Sequence, residues 1–189
     1  MNIYKAIQIP IGQLVIIINN SSLIGLYWLN QLLSTDEFED ETGFVDLLDL
    51  NFLNSLEGVL NKKYMLNCLA SNDHPLIFRT ENQLKQYFQG QRQSFDIPIE
   101  LIGTEFQKLA WNELINIPFG ETRSYVDQSK KVGRPKAFRA VGTANSKNPI
   151  SIIIPCHRVI RKNGLTSGYA GGVNIKTSLL ELESRLINL

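Results

Sequence analysis

The chain has 189 residues, 43% of them hydrophobic and 20% charged, a composition that excludes a disordered or collagen-like polymer. No apolar run approaches the roughly 18–20 residues of a membrane span. The N-terminus lacks a basic segment leading into a long apolar stretch, and two cysteines, Cys68 and Cys156, cannot make a disulfide-dense secreted scaffold. A cytoplasmic protein is the default expectation. The net charge of +1 conceals a division: residues 1–100 carry six basic and twelve acidic side chains, the rest thirteen and six. A basic half joined to an acidic one fits a polyanion partner for the second half. It equally fits two domains with complementary surfaces.

In the first half, Ile3 to Ile9, Gly12 to Ile18 and Ile24 to Leu29 predict a meander of strands. The acidic run Asp36 to Glu41 reads as a solvated loop. Val45 to Leu60 has helical apolar spacing, Glu81 to Phe88 predicts a second helix ending at Gly90, and Gln91 to Pro98 reads as a last strand and linker. Cys68 and His74 lack the further ligands a zinc site needs, so they read as a packing thiol and a surface histidine.

The second half is better organised. Thr104 and Gln107 fit a capping box, opening a helix through Phe106, Leu109, Ala110, Leu114 and Ile117 that Pro118 and Gly120 stop. Ser124 to Asp127 fits a second cap, for a short helix running to about Val132. Gly133 supplies a turn, and Pro135 suits the first position of a third helix. At about 100° per residue, Ala137, Ala140, Val141 and Ala144 fall on one small apolar face. Lys136, Arg139, Thr143 and Lys147 fall on an adjacent basic one. This is a helix-turn-helix pattern, or an ordinary helical hairpin with a charged face.

After the turn at Asn148-Pro149, four isoleucines between Ile150 and Ile154 predict a buried strand ending at Cys156-His157. A cysteine needs a neighbouring base or cation to become a nucleophile at neutral pH. Adjacency alone does not supply one, and Cys156 equally reads as a small buried hydrophobe. Gly164 to Gly172 reads as a loop whose backbone can approach a ligand closely. On the last helix, with Leu179 at 0°, Leu182 and Leu186 lie near −60° and −20° and Glu183 near 40°, inside the apolar arc. A buried carboxylate is costly unless paired, so Glu183 calls for a partner such as a histidine, or for a place at the rim.

These pieces add up to a family. FQKLAW at Phe106, IPFGETRSY at Ile117, GRPKAFRAVG at Gly133, NP at Asn148, IPCHRVI at Ile154, GYAGG at Gly168 and KTSLLELE at Lys176, in this order and spacing, closely resemble the O6-alkylguanine-DNA alkyltransferases (methylated-DNA–protein-cysteine methyltransferases). The match covers nearly half the chain. Residues 1–100 match only in length and placement, as the variable ribonuclease-H-like domain. The resemblance implies an α/β (α+β) fold: that domain at 1–100, then a mostly helical DNA-binding and alkyl-acceptor domain with a helix-turn-helix at 101–189. It implies a single-turnover DNA repair methyltransferase that flips an O6-alkylguanine, or an O4-alkylthymine, out of the duplex and takes the alkyl group irreversibly onto Cys156.

His157 would draw off the thiol proton through water, Glu183 would orient His157, Tyr125 would donate a proton toward the leaving guanine, and Asn148 would support the nucleophile. Arg139 would fill the space left by the flipped base. The recognition helix would sit in the minor groove of double-stranded DNA, Ala137, Ala140 and Gly142 allowing close approach, with Arg134, Lys136 and Lys162 on phosphates. Tyr169, Ala170, Ser167 and Ser151 would line the base pocket. No metal, cofactor, membrane or obligate protein partner is implied, and the protein would act as a monomer.

Phe138 stands where the family often has a small residue, either as an apolar wedge or packed inward. Ser151 and Ser167 occupy variable positions bearing on bulky adducts. Three rivals predict different behaviour. A non-catalytic alkylated-DNA sensor would lack the acceptor cysteine. A helix-turn-helix regulator would bind specific sequences without it. A cysteine hydrolase would need an oxyanion hole, for which the sequence offers no candidate.

Overall fold

The computed structural model describes residues 2–32, 45–47, 49–64, 68–166 and 168–187. Contacts divide the chain into two compact units, Met1–Glu100 and Leu101–Leu189. No helix among the described residues is long and apolar enough to cross a membrane.

The first unit is built on a four-stranded sheet. Strands β1 (Asn2–Ile9), β2 (Gly12–Ile18) and β3 (Leu23–Trp28) form the predicted meander. β1 and β2 pair antiparallel from Ile3↔Ile18 to Ile9↔Gly12, and β2 and β3 pair antiparallel with an irregularity at Ile17/Ile18. A short helix α1 (Leu29–Leu32) follows. Helix α2 (Leu50–Tyr64) then carries the chain to β4 (Cys68–Ala70), which pairs parallel with β1 at the edge, giving the order β3-β2-β1-β4. β2 is buried from Leu14 to Ile18 because helices cover both faces of the sheet. Tyr4, Val15 and Ile17 pack with Phe52, Leu56 and Leu60 of α2, and with the thiol of Cys68. Alternate residues of β1 point the other way: Lys5 donates to Glu81 on α3 (Pro75–Phe88) at 2.7 Å.

Three expectations for this unit change. The run 45–60 yields a helix that starts at Leu50. Helix α3 begins six residues before Glu81, because the His74 ring accepts the Leu76 amide hydrogen bond at 3.2 Å and Pro75 follows at the first helical position. Gln91 to Pro98 is not a strand. Its Asp96 backbone is bonded by the Gln83 side chain in both directions, and the chain touches the sheet just at its end, where Leu23 N donates to Pro98 O and Leu23 bridges Ile99. The acidic run 36–41 lies outside the described residues.

In the second unit, α4 (Glu105–Ile115) carries the full capping box: Gln107 N donates to Thr104 Oγ1, and Thr104 N donates to Gln107 Oε1. A two-residue strand β5 (Arg123–Ser124) leads into α5 (Tyr125–Lys131), capped by Ser124, whose hydroxyl accepts from the Asp127 amide. Gly133, at φ +71°, makes the turn. Helix α6 (Phe138–Ser146) starts three residues later than Pro135 suggests. The Pro135 carbonyl accepts instead from the Ser129 hydroxyl at 3.1 Å, so Pro135 and Lys136 stay in the turn. After a 3₁₀ turn, Cys156–Arg158, strand β6 (Val159–Ile160) pairs parallel with β5, and α7 (Val173–Ile187) ends the unit.

The strand expected at Ile150 to Ile154 is absent. Asn148 takes over the local hydrogen bonding: its Oδ1 accepts from Ile150 N at 3.0 Å and its Nδ2 donates to Ile154 O at 2.8 Å. Ile154 N in turn donates to Ile150 O, closing a turn, with Ile152 at φ +69°. The isoleucines are buried as their composition implies, except that Ile153 is only half-buried. Burial alone does not select a strand.

Candidate active site and nucleic-acid interface

Four segments meet around the 3₁₀ turn Cys156–Arg158 and its partner Glu183: that turn itself, the Asn148 turn, the loop Ile117–Gly120 and helix α7. Cys156 is 7% exposed, and its sulfur accepts a hydrogen bond from Asn148 Nδ2 at 3.2 Å. Burial pushes the Cys156 pKa up; the Asn148 hydrogen bond and the nearby Lys176 charge act in the opposite direction without overcoming it. The resting group is therefore a thiol.

His157 is fully buried. Its Nε2 lies 2.9 Å from Glu183 Oε1. Burial lowers the His157 pKa despite the opposing pull of Glu183, so the ring is neutral at pH 7. With Nε2–H donating to the carboxylate, the lone pair sits on Nδ1. That atom is buried with no hydrogen-bond partner among the described residues.

Glu183 is fully buried, as its helical angle suggests, and it has more than a histidine for company. Arg158 donates from Nε to both carboxylate oxygens (3.2 and 3.0 Å) and from Nη2 to Oε1 (2.9 Å). Gly120 N donates to Oε2 at 2.9 Å. Burial alone would raise the carboxyl pKa, but His157 and Arg158 together hold it well below the ordinary range. Arg158 also donates to Ile117 O at 2.6 Å and lies 5.7 Å from the Phe119 ring. Gly120 is at φ +73°, and a Cβ there would fall 1.6 Å from Ile187 Cδ1, so a glycine is what lets the loop reach the carboxylate.

Two residues of this cluster escape the sequence reading. Arg158 gives no local signal, because its partner is 25 positions away. Lys176 could have been found: it lies near 60° on the α7 wheel, in the same apolar arc as Glu183. It is fully buried, donates to Val159 O at 2.6 Å, and sits 5.9 Å from the Tyr125 ring. Burial lowers its pKa while Cys156 raises it. Tyr125, the first residue of α5, is half-buried and also faces Gly142, where a Cβ would stand 3.7 Å from the ring.

The recognition-helix candidates divide. Val141, Ala144 and Asn145 are buried toward the unit, and Trp111 Nε1 donates to Ala144 O at 2.8 Å. Ala137 is half-buried. Ala140, expected on the packed face, is exposed, as are Arg134, Lys136 and Arg139. Lys136 precedes the helix, so the basic surface is shared between the turn and the helix. Lys162 is exposed in a cleft with Arg123, Arg161 and Asp127. Of the pocket candidates, Ser151 is 1% exposed with a hydroxyl that has no partner among the described residues. Tyr169 and Ala170 are half-buried, and Ser167 lies outside the described residues.

A capped helix, a glycine turn and a second helix, with basic residues exposed on the turn and the second helix, beside a buried cysteine backed by a histidine–carboxylate pair, describe a nucleic-acid-binding protein with a nucleophilic centre. Residues 105–185 match the family model of the 6-O-methylguanine DNA methyltransferase DNA binding domain, and residues 2–101 that of its ribonuclease-like domain. The chain belongs to this family.

A methylated-DNA–protein-cysteine methyltransferase of Methanosarcina acetivorans is 47% identical over 134 residues, covering 71% of this chain and 85% of that one. One from Mycobacterium leprae is 54% identical over 106 residues, 56% of this chain and 64% of its own length. Apart from the Methanosarcina acetivorans protein, the relatives compared are matched over less than two thirds of their own lengths. Among solved structures, Mycobacterium tuberculosis OGT in complex with DNA is 36% identical, with a TM-score of 0.76 over 97% of this chain and 93% of that one. The archaeal enzyme from Pyrococcus kodakaraensis, 22% identical with a TM-score of 0.61, shares the fold.

Proposed function

We propose that the protein repairs double-stranded DNA by transferring the alkyl group of O6-alkylguanine, with O4-alkylthymine as a further substrate, to its own Cys156. The observation that carries this reading is the polarity of the His157 ring. Glu183, itself held by Arg158, fixes its Nε2 side, leaving a buried lone pair on Nδ1 with no partner among the described residues, next in sequence to a protonated cysteine. In the step, the Cys156 proton passes through water to His157 Nδ1 as sulfur attacks the alkyl carbon. The carbon–sulfur bond forms while the bond from carbon to O6 breaks, and the guanine leaves with a proton from Tyr125. Asn148, donating to both Ile154 O and Sγ, holds the sulfur on its line of attack. The product is a thioether, so each chain acts once.

Reaching the lesion requires extruding the nucleotide, at a cost of a few kcal/mol. Arg139 on the exposed face of α6 would occupy the vacated space from the minor groove. Ala137, Ala140 and Gly142 allow close approach, and Arg134, Lys136 and Lys162 take phosphates. Tyr169, Ala170, Ser151 and Ser167 would border the extruded base. The domains of this reading are 1–100 and 101–189, the second carrying the chemistry. A cytoplasmic location and action as a monomer belong to the same reading.

Intact-protein mass spectrometry after incubation with a duplex holding one O6-methylguanine tests it. The expected result is a gain of one methyl group per chain, mapped to Cys156 and absent in Cys156→Ser. Tight binding of the lesion duplex with no mass gain would replace repair by damage sensing.

A further inference from the structure

The geometry points to Phe138 as an apolar wedge that enters the minor groove beside Arg139 and spreads a base step. The inference rests on the reading above that α6 engages duplex DNA, and it adds a contact to that reading.

Phe138 is the first residue of α6 and is 42% exposed, whereas Trp111 in the same unit is 1% exposed. It does not pack inward, because the inward face of α6 is already taken by Val141, Ala144 and Asn145. The Arg139 guanidinium carbon lies 5.9 Å from the Phe138 ring centroid, so the cation and the ring project side by side from one rigid helix. Their surroundings choose the partner. From Gln128 to Lys147 the chain has basic residues and no acidic one, and Arg134, Lys136 and Arg139 are exposed. Such a surface suits a polyanion, and the apolar surface a duplex offers is its stacked bases. Exposed Ala140 keeps the helix low beside the ring, so a groove wall can come close.

The spacing fits. Bases on one strand rise by about 3.4 Å per step, so groups 5.9 Å apart address the same step or its neighbour. Apolar side chains inserted this way from the minor groove unstack a step and kink the duplex. With Arg139 filling the place of an extruded base, Phe138 would hold the adjoining step open. The contact adds affinity without a phosphate and without reading sequence.

The test measures equilibrium binding to an O6-methylguanine duplex across a salt series, for the full chain and for Phe138→Ala and Phe138→Leu. Loss of a stacking contact predicts about tenfold weaker binding for the alanine variant, with an unchanged slope of log affinity against log salt, since no counterion-releasing contact is removed. The leucine variant, still an apolar wedge, should recover most of that loss. Unchanged melting temperatures verify folding; should the alanine variant fail to fold, Phe138→Gln takes its place as the non-wedging variant. Alanine binding within twofold of the parent overturns the wedge, as does a slope reduced by about one or a leucine variant as weak as alanine. Failure of the parent chain to take up a methyl group at Cys156 would instead overturn the repair reading, so the two failures are distinguishable.

Discussion

Replacing Glu183 by Gln should destabilise the second unit severely, through charge rather than shape. The carboxylate accepts from Gly120 N, His157 Nε2 and the Arg158 guanidinium, all at 3.2 Å or less. A glutamine keeps one accepting oxygen and places an amide NH₂ where the second stood. The Arg158 charge, 5% exposed, is then left with the Ile117 carbonyl and the Phe119 ring. Removing one partner of a buried ion pair costs about 3–5 kcal/mol, a large share of the roughly 5–15 kcal/mol that holds a domain together.

Urea unfolding is the assay, in a Trp28→Phe background so that Trp111 alone reports on this unit. With a slope of about 1–3 kcal/mol per molar, the midpoint should fall by on the order of 2 M. Arg158→Met should cost a similar amount, because it strands the carboxylate. The double variant should lose at least about 2 kcal/mol less than the two single losses combined. A Glu183→Gln cost below about 1 kcal/mol, or strict additivity in the cycle, would refute the reasoning. The pH dependence follows the same charge. A carboxyl held well below its ordinary range stabilises the fold fully above the unfolded value of about 4.3, and that stability drains away only as pH falls toward the folded value.

Single-turnover methyl transfer should be nearly independent of pH from about 6.5 to 8, because His157, its pKa lowered below the ordinary value of about 6.5, is already a neutral base there. It should slow only at lower pH as the ring takes a proton. A rate rising tenfold per pH unit across that window would mean that a free thiolate attacks without His157. Ile152, 1% exposed at φ +69°, should reverse the usual order of glycine and alanine. Ile152→Gly should be more stable than Ile152→Ala by about 1 kcal/mol, since only glycine escapes the left-handed penalty, and equal or opposite stabilities by urea unfolding would remove the strain.

What the sequence revealed was local. The Thr104 and Ser124 caps are read within four residues, and the structure places them there. The angular count along one helix left Glu183 either paired in the interior or at the rim, and the structure buries it. Features held from a distance stayed hidden. The 150–154 turn is dictated by the Asn148 side chain rather than by isoleucine propensity. Pro135 loses the helix start to a hydroxyl on the preceding helix. Arg158 is paired by a carboxylate that only folding brings close. Lys176 is different, since the wheel that marked Glu183 marks it too.

Behind α6, Gln128 and Asn145 exchange hydrogen bonds at 3.1 and 2.7 Å, and Gln128 also donates to Ala110 O. Amides that must meet donor to acceptor index the helix about its own axis. A roll of one residue, about 100°, would swing Asn145 away and leave several buried polar groups unmatched. With its azimuth keyed from behind, α6 sets the direction of Arg139 independently of the side chain at the exposed position 138. The interior key thus decouples what the outward side of α6 touches from how the helix is held.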